Sequence, residues 1–213
     1  MKQKDSKTGP ARRGRPRAYD AEAALKRATE TFWKSGYSGT SLDSIAAATG
    51  MNPPSLYAAF GNKHAIYLEA LARYWEISLA ATREALAEEL PLAEALMLAY
   101  EAALSIYFSG KGNARGCFVV GTAVTEAVED AAIRNSVAAG TRLIDADFEA
   151  RIRLAQERGE LKHDSDPAAL AILASATLHT IAIRARSGAR RAELREVARK
   201  AVSVICGRRE EAS

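Results

Sequence analysis

The stretch TSLDSIAAATGMNPPSLYAAFGNK, residues 40–63, limits the fold more than any other part of this chain. It holds two helical patterns of about two turns each, separated at Gly50. Helices this short do not hold together alone in water, so longer helices must pack on either side of them. Pro53 and Pro54 would break a helix from within, but in a first turn their missing N–H groups would be unpaired anyway. Asn52 ahead of them is a strong N-cap residue, and the following proline biases it toward the extended geometry that a cap needs. Because Pro54 also lacks an amide hydrogen, the Asn52 side chain is left with the Ser55 amide. Pro54 disfavours helical geometry at Pro53, so the pattern allows a start at either proline. Thr40 and Asp43 have the spacing of a capping box ahead of Leu42, Ile45 and Ala46, which point inward. Two short helices pivoting on a glycine form a helix-turn-helix, whose second member can lie in the major groove of DNA.

A longer helix precedes them. Asp20 is its N-cap, Glu22 sits in its first turn, Leu25, Ala28 and Phe32 share a face, and Gly36 supplies the end. Beyond the short pair, apolar residues recur every three or four positions and no stretch keeps a strict alternation. This predicts an all-α fold. Asn62 opens a helix to about residue 90, with Leu68, Leu71, Trp75 and Leu79 inward. Pro91 opens another to about Phe108, SGKGNARG reads as a loop, and CFVVGTAVTEAVED begins the next helix. Further helices run from about Ala131 to Arg158, from Asp166–Pro167 to about Arg186, and over residues 192–205. The reading gives nine helices, three then six, and 213 residues suffice to bury a sizeable core.

No run of about 18 apolar residues is present and no apolar segment follows the basic start, so neither a membrane span nor a secretory signal is expected. Cys117 and Cys206 are too few for a disulfide framework, which fits a reducing cytoplasm. Residues 1–63 hold 11 Lys/Arg against 5 Asp/Glu, and seven of those basic residues fall in the leader MKQKDSKTGPARRGRPRA. Such asymmetry points to nucleic acid, with a merely solvated tail as the plainer reading. Arg12, Arg13, Arg15 and Arg17 in RRGRPR look like an arm for a minor groove, held flat by Gly and Pro.

Within residues 19–68, Phe32, Gly36, Tyr37, Thr40, Ile45, Ala46, Gly50, Leu56, Tyr57, Phe60 and Lys63 form a pattern. It resembles the DNA-binding domain of TetR-family transcriptional regulators. Prolines stand where that family commonly has a Lys-Gly pair. Ala58 and Ala59 stand where aromatic or His residues are frequent, and His64 replaces a common acidic residue. Fewer polar groups are therefore available to read bases. The resemblance implies an all-α chain with a three-helix DNA-binding domain and a six-helix ligand-binding and dimerisation domain. The expected boundaries are a basic arm over 1–18, the helix-turn-helix over 19–65 and the larger domain over 66–213. The implied partners are a palindromic double-stranded operator, a small-molecule effector and a second copy of the chain, acting in the cytoplasm without cofactor, metal or membrane.

Residues expected at the DNA are Arg13, Arg15, Arg17, Thr40, Ser41, Asn52, Pro53, Pro54, Ser55, Tyr57, Ala58 and Lys63. Tyr57 and Lys63 take the family's phosphate-contact roles, and Ala58 is suited to a thymine methyl group. The aromatic residues Trp75, Tyr100, Tyr107, Phe108, Phe118 and Phe148, with Cys117 and His179, are the candidate pocket lining, although helical spacing alone reads as core. Cys117 follows a loop and opens a helix, where a thiol pKa can fall, so a redox- or electrophile-responsive repressor is the alternative reading. His64, His163 and His179 are too scattered for a metal site. Ala171, Ser175, Leu178 and Ala182 form a stripe of small residues, and Leu194, Val197, Ala198, Ala201 and Ile205 form a second. Together they are the expected dimer interface. A metabolite-binding enzyme finds no clustered carboxylates and no phosphate-cradling glycine loop, and a helical adaptor is the remaining class.

Overall fold

The computed structural model describes residues 20–87, 89–110 and 113–207, and these form helices and connecting turns with no strand among them. Helix α1 (Ala21–Ser35) starts at Asp20, whose carboxylate accepts from the Glu22 and Ala23 amides, and it stops at Gly36, where φ is +74°. Helix α2 (Leu42–Thr49) is capped by Ser41, not Thr40. Ser41 Oγ accepts from the Ser44 amide, and Ser44 Oγ accepts from the Ser41 amide in return. Thr40 is unavailable as a cap because its side chain is buried, with its hydroxyl donating to Gly36 O at 2.6 Å. Helix α3 (Pro53–Phe60) begins at the first proline, and Asn52 Oδ1 accepts from the Ser55 amide at 2.8 Å. Between the short pair, Gly50 holds a left-handed φ of +71°, which a glycine adopts without strain.

Helix α4 (Lys63–Ala85) leaves the helix-turn-helix and runs into the larger unit, ending five residues short of the expected stop. Leu86 tucks into the core instead of prolonging the helix, and Leu90 precedes Pro91, where helical geometry is disfavoured. Arg151, almost fully buried, donates from Nη2 to Leu90 O and so satisfies a carbonyl of this connection. Helix α5 (Leu92–Tyr107) follows. The segment CFVVGTAVTE forms a π-helical turn over Val119–Ala123 that leads into a single turn of α6 (Val124–Glu126). The long helices α7 (Ala131–Glu157), α8 (Pro167–Arg186) and α9 (Arg191–Ile205) complete nine α-helices among the described residues.

One aromatic cluster joins the small unit to the large one. Phe32 and Trp33 of α1 pack on Tyr67 and Tyr74 of α4 and on Phe118 ahead of the π-helical turn, with ring centroids 5.1–5.8 Å apart. The Tyr67 hydroxyl lies 2.8 Å from Thr122 Oγ1, and Thr122 in turn donates to Phe118 O. Such pairs add about 0.5–1.5 kcal/mol each beyond the area they bury. Three expected pocket residues are core. Phe118 belongs to this cluster, and Tyr100 and Phe148 are fully buried between α5 and α7.

The expected dimer stripe is also corrected. Ala171, Ser175, Leu178 and Ala182 of α8 are buried within the chain, as are Leu194, Ala198 and Ile205 of α9. Small residues serve here to let α8 approach α5, α7 and α9 closely. The outer face of α8 carries Ala169, Ile172, Leu173 and Ala176 instead, with Ile172 at 59% exposure. On α9, Val197 and Ala201 are half-buried and Val204 is 71% exposed. By length and composition α8 is the one described helix apolar enough to cross a membrane, and its inward stripe is covered by protein.

Candidate nucleic-acid interface and internal cavity

Helix α3 is held from behind by Leu56 and Phe60, both buried, and turns every other side chain outward or to the rim. Asn52, Pro54, Ser55, Tyr57, Ala58 and Ala59 are exposed, and Pro53 is half-buried. Tyr57 is 51% exposed and is not part of the core. Ser41 is exposed at the start of α2, whereas Thr40 is buried. No charged side chain stands anywhere between Pro53 and Phe60.

Lys63, at the first position of α4, has more than one task. Its Nζ donates to Tyr37 O at 3.1 Å and Thr40 O at 3.0 Å, and lies 4.2 Å from the centroid of the Tyr37 ring. It therefore pins the turn between α1 and α2, with one ammonium hydrogen left for another acceptor. Arg27 is likewise engaged, donating to Thr49 O at 3.1 Å. Among residues 20–63 the basic Lys26, Arg27, Lys34 and Lys63 are matched by Asp20, Glu22, Glu30 and Asp43. The positive excess of the N-terminal part thus belongs to residues 1–19. Arg12, Arg13, Arg15 and Arg17 lie outside the described residues.

In the larger unit a cavity of about 290 Å³ opens between α4, α5, the π-helical turn, α7 and α8. Of the expected lining, Trp75, Tyr107, Cys117 and His179 are present, whereas Phe108 is not. The walls are mainly aliphatic, with Val119, Val120, Val137, Ile144 and Ile183 prominent, and Ser78, Thr82 and Thr141 add hydroxyls. Choosing aromatics by size missed these; the better signal was the valine run CFVVGTAV. The Trp75 ring lies against Gly140 so closely that a Cβ there would come within 2.2 Å of it. Burial holds His179 below its ordinary pKa, opposed by the nearby Asp145 carboxylate, so the imidazole facing the cavity is neutral at pH 7.

Cys117 does not have the lowered pKa that a helix start suggests. Burial raises the thiol, and the Tyr74 hydroxyl, which donates to its Sγ at 3.1 Å, only partly offsets this. A thiol kept protonated is a poor nucleophile, which speaks against the sensor reading. Among the described residues no group of His, Cys, Asp and Glu has the arrangement of a metal site.

Comparison with known proteins places these observations. Residues 24–70 match the family described as bacterial regulatory proteins, tetR family, and residues 93–202 match the tetracyclin repressor-like C-terminal domain. The HTH-type transcriptional repressor ComR of Escherichia coli K12 is 31% identical over 186 residues, covering 87% of this chain and 89% of that protein. The HTH-type transcriptional repressor BdcR of the same organism is 33% identical over 107 residues, half of this chain. Among solved structures, a cysteine mutant of the TetR family transcriptional regulator CifR, complexed with 26-base-pair double-strand operator DNA, aligns with a TM-score of 0.80. It is 33% identical and covers 89% of this chain and 98% of its own.

Proposed function

The chain belongs to the TetR family of bacterial regulatory proteins, a family of transcriptional regulators and not of enzymes, and on that premise we propose that it is a dimeric repressor released from a palindromic operator by a small apolar ligand. The observation that carries the proposal is the outer face of α3. Its small, neutral side chains are presented on a helix anchored from behind, and two relatives named as repressors support the sign of regulation. Such a face reads bases by fit, with Ser55 and Asn52 as hydrogen-bonding groups and Ala58 against a thymine methyl group. Tyr57 and the third hydrogen of Lys63 serve phosphates, which position the protein without specifying sequence.

With the described part of the small unit neutral, Arg13, Arg15 and Arg17 supply most of the electrostatic attraction, from the minor groove. Two copies associate through the apolar outer faces of α8 and α9, with Ile172 and Leu173 opposite their own equivalents. The aliphatic cavity takes the effector, which favours a conformer whose recognition helices no longer match the half-site spacing. Action on DNA places the protein in the cytoplasm. A salt-dependent gel shift on the DNA flanking the gene, repeated with Ser55→Ala, tests the reading. Retention of a discrete, salt-sensitive complex supports it, and equal affinity for any sequence contradicts it.

A further inference from the structure

A second concavity, of about 500 Å³, lies between the two units and not inside the larger one. Its floor is apolar, formed by Leu25 and Trp33 of α1, Tyr74 and Ile77 of α4 and Ile106 of α5. Tyr74 and Ile106 also form part of the inner cavity's wall, so the two spaces are back to back. Along the rim stand Lys26, Arg73 and Arg115, with Glu22 and Glu30. Arg73 is occupied, since it pairs with Glu22 at 3.0 Å and Glu76 at 3.1 Å.

Arg115 is held differently. Its guanidinium stacks 4.0 Å over the Trp33 ring, and Nη2 donates to Ser109 Oγ at 2.8 Å. Two donors in this stack have no acceptor among the described residues: Arg115 Nε, and the indole Nε1 of Trp33, a side chain only 6% exposed. Neither donor atom is open to solvent, so what Arg115 offers the cleft is the charge of its half-buried guanidinium. Lys26 makes no ion pair among the described residues, which adds a second cation at the rim. Glu30, which attracts Arg115, keeps the net charge here low and disfavours dianions such as phosphate monoesters.

From this geometry we propose that the cleft between α1, α4 and α5 binds a small aromatic monocarboxylic acid. The carboxylate pairs with the Arg115 guanidinium, with Lys26 as the second cation, while the ring covers Leu25 and Ile77. The occupant touches the DNA-binding unit and the larger unit at once, so its binding and operator affinity are linked. This goes beyond the effector cavity and does not require it.

The chain has two tryptophans, Trp33 in the cleft and Trp75 in the inner cavity. The Trp75→Phe protein therefore reports on the cleft through Trp33 alone. Titrating it with phenylacetate should change its fluorescence saturably, and the neutral phenylacetamide should not do so. Arg115→Gln should weaken phenylacetate binding by about tenfold, the usual worth of a charge-assisted hydrogen bond. Lys26→Glu, an exposed change that leaves the fold alone, should weaken it in the same direction. Operator affinity of Trp75→Phe, measured in the same preparation, should shift by at least about fivefold on saturation, the low end of ordinary allosteric coupling. Three results overturn the site: no response from Trp33, equal response to the amide, or undiminished binding in both variants. A response seen only through Trp75, in the Trp33→Phe protein, moves the acid to the cavity and overturns it as well. Binding without a shift in operator affinity refutes the linkage. Operator binding by the unliganded Trp75→Phe protein is read separately, so a failed site is not confused with a failed regulator.

Discussion

Helices α3 and α8 each bury one side and turn the other to solvent, but they expose opposite chemistry. In α3 the two large apolar residues, Leu56 and Phe60, face inward, and what remains outside is small or polar. In α8 the inward face is mostly small, with Ala171, Ala174, Ser175, Ala182 and Ala185 beside Leu178 and Ile181, and the large Ile172 and Leu173 remain outside. A neutral, finely contoured face suits the edges of bases, and a bulky apolar one suits another protein surface. The contrast also explains why the two were not equally open to prediction. Where large apolar and polar residues alternate at helical spacing, only one orientation buries the apolar set. In a helix that is apolar nearly all round, two stripes compete, and tight packing against neighbours decides which goes in.

The largest test of the contrast is at the outer face of α8. Ile172→Asp combined with Leu173→Asp should give a folded monomer by sedimentation and lower operator affinity by more than about a hundredfold, since half of the recognition surface is lost. On the inner face, Leu178→Ala should instead cost about 2–4 kcal/mol of unfolding stability while the dimer persists at low temperature. If the two variants exchange phenotypes, the assignment of faces is inverted.

Replacing Arg13, Arg15 and Arg17 together by Ala should weaken binding to all DNA alike and lower the salt dependence by about one unit of slope per lost contact. Lys63→Ala should have a smaller, mixed effect. It removes two hydrogen bonds to Tyr37 O and Thr40 O and a cation–π contact, so about 1–2 kcal/mol of stability goes with at most one unit of salt slope. A purely electrostatic loss, with thermal unfolding unchanged, would show that the ammonium is free for DNA.

Much of the fold was legible because punctuation and periodicity agreed. Asp20, Asn52, Asn62 and Asp166 each cap a helix where the sequence suggests one, and each accepts from the amides that follow. At Thr40 and Ser41 two hydroxyl residues compete for one cap, and tertiary burial of Thr40 decided it, which no local rule could tell. The region 117–130 was read as one helix, but Gly121 faces Arg186 so closely that a Cβ would come within 2.6 Å of its Nη1. Here a π-helical turn replaces regular winding. The cavity was the least legible part, because its lining comes from six elements brought together only by the fold, and its aliphatic residues look like any core.

The most direct measurement compares variants of α3 with variants of the arm on a panel of single-base operator mutants. Ser55→Ala and Ala58→Ser alter a face that contains no charge, so they should change the rank order of the panel by roughly 1–3 kcal/mol at one or two base pairs while leaving the salt slope alone. Arg15→Ala should shift the whole panel together. If the rank order is untouched by both α3 variants and is changed by the arm, α3 is not the helix that reads the operator.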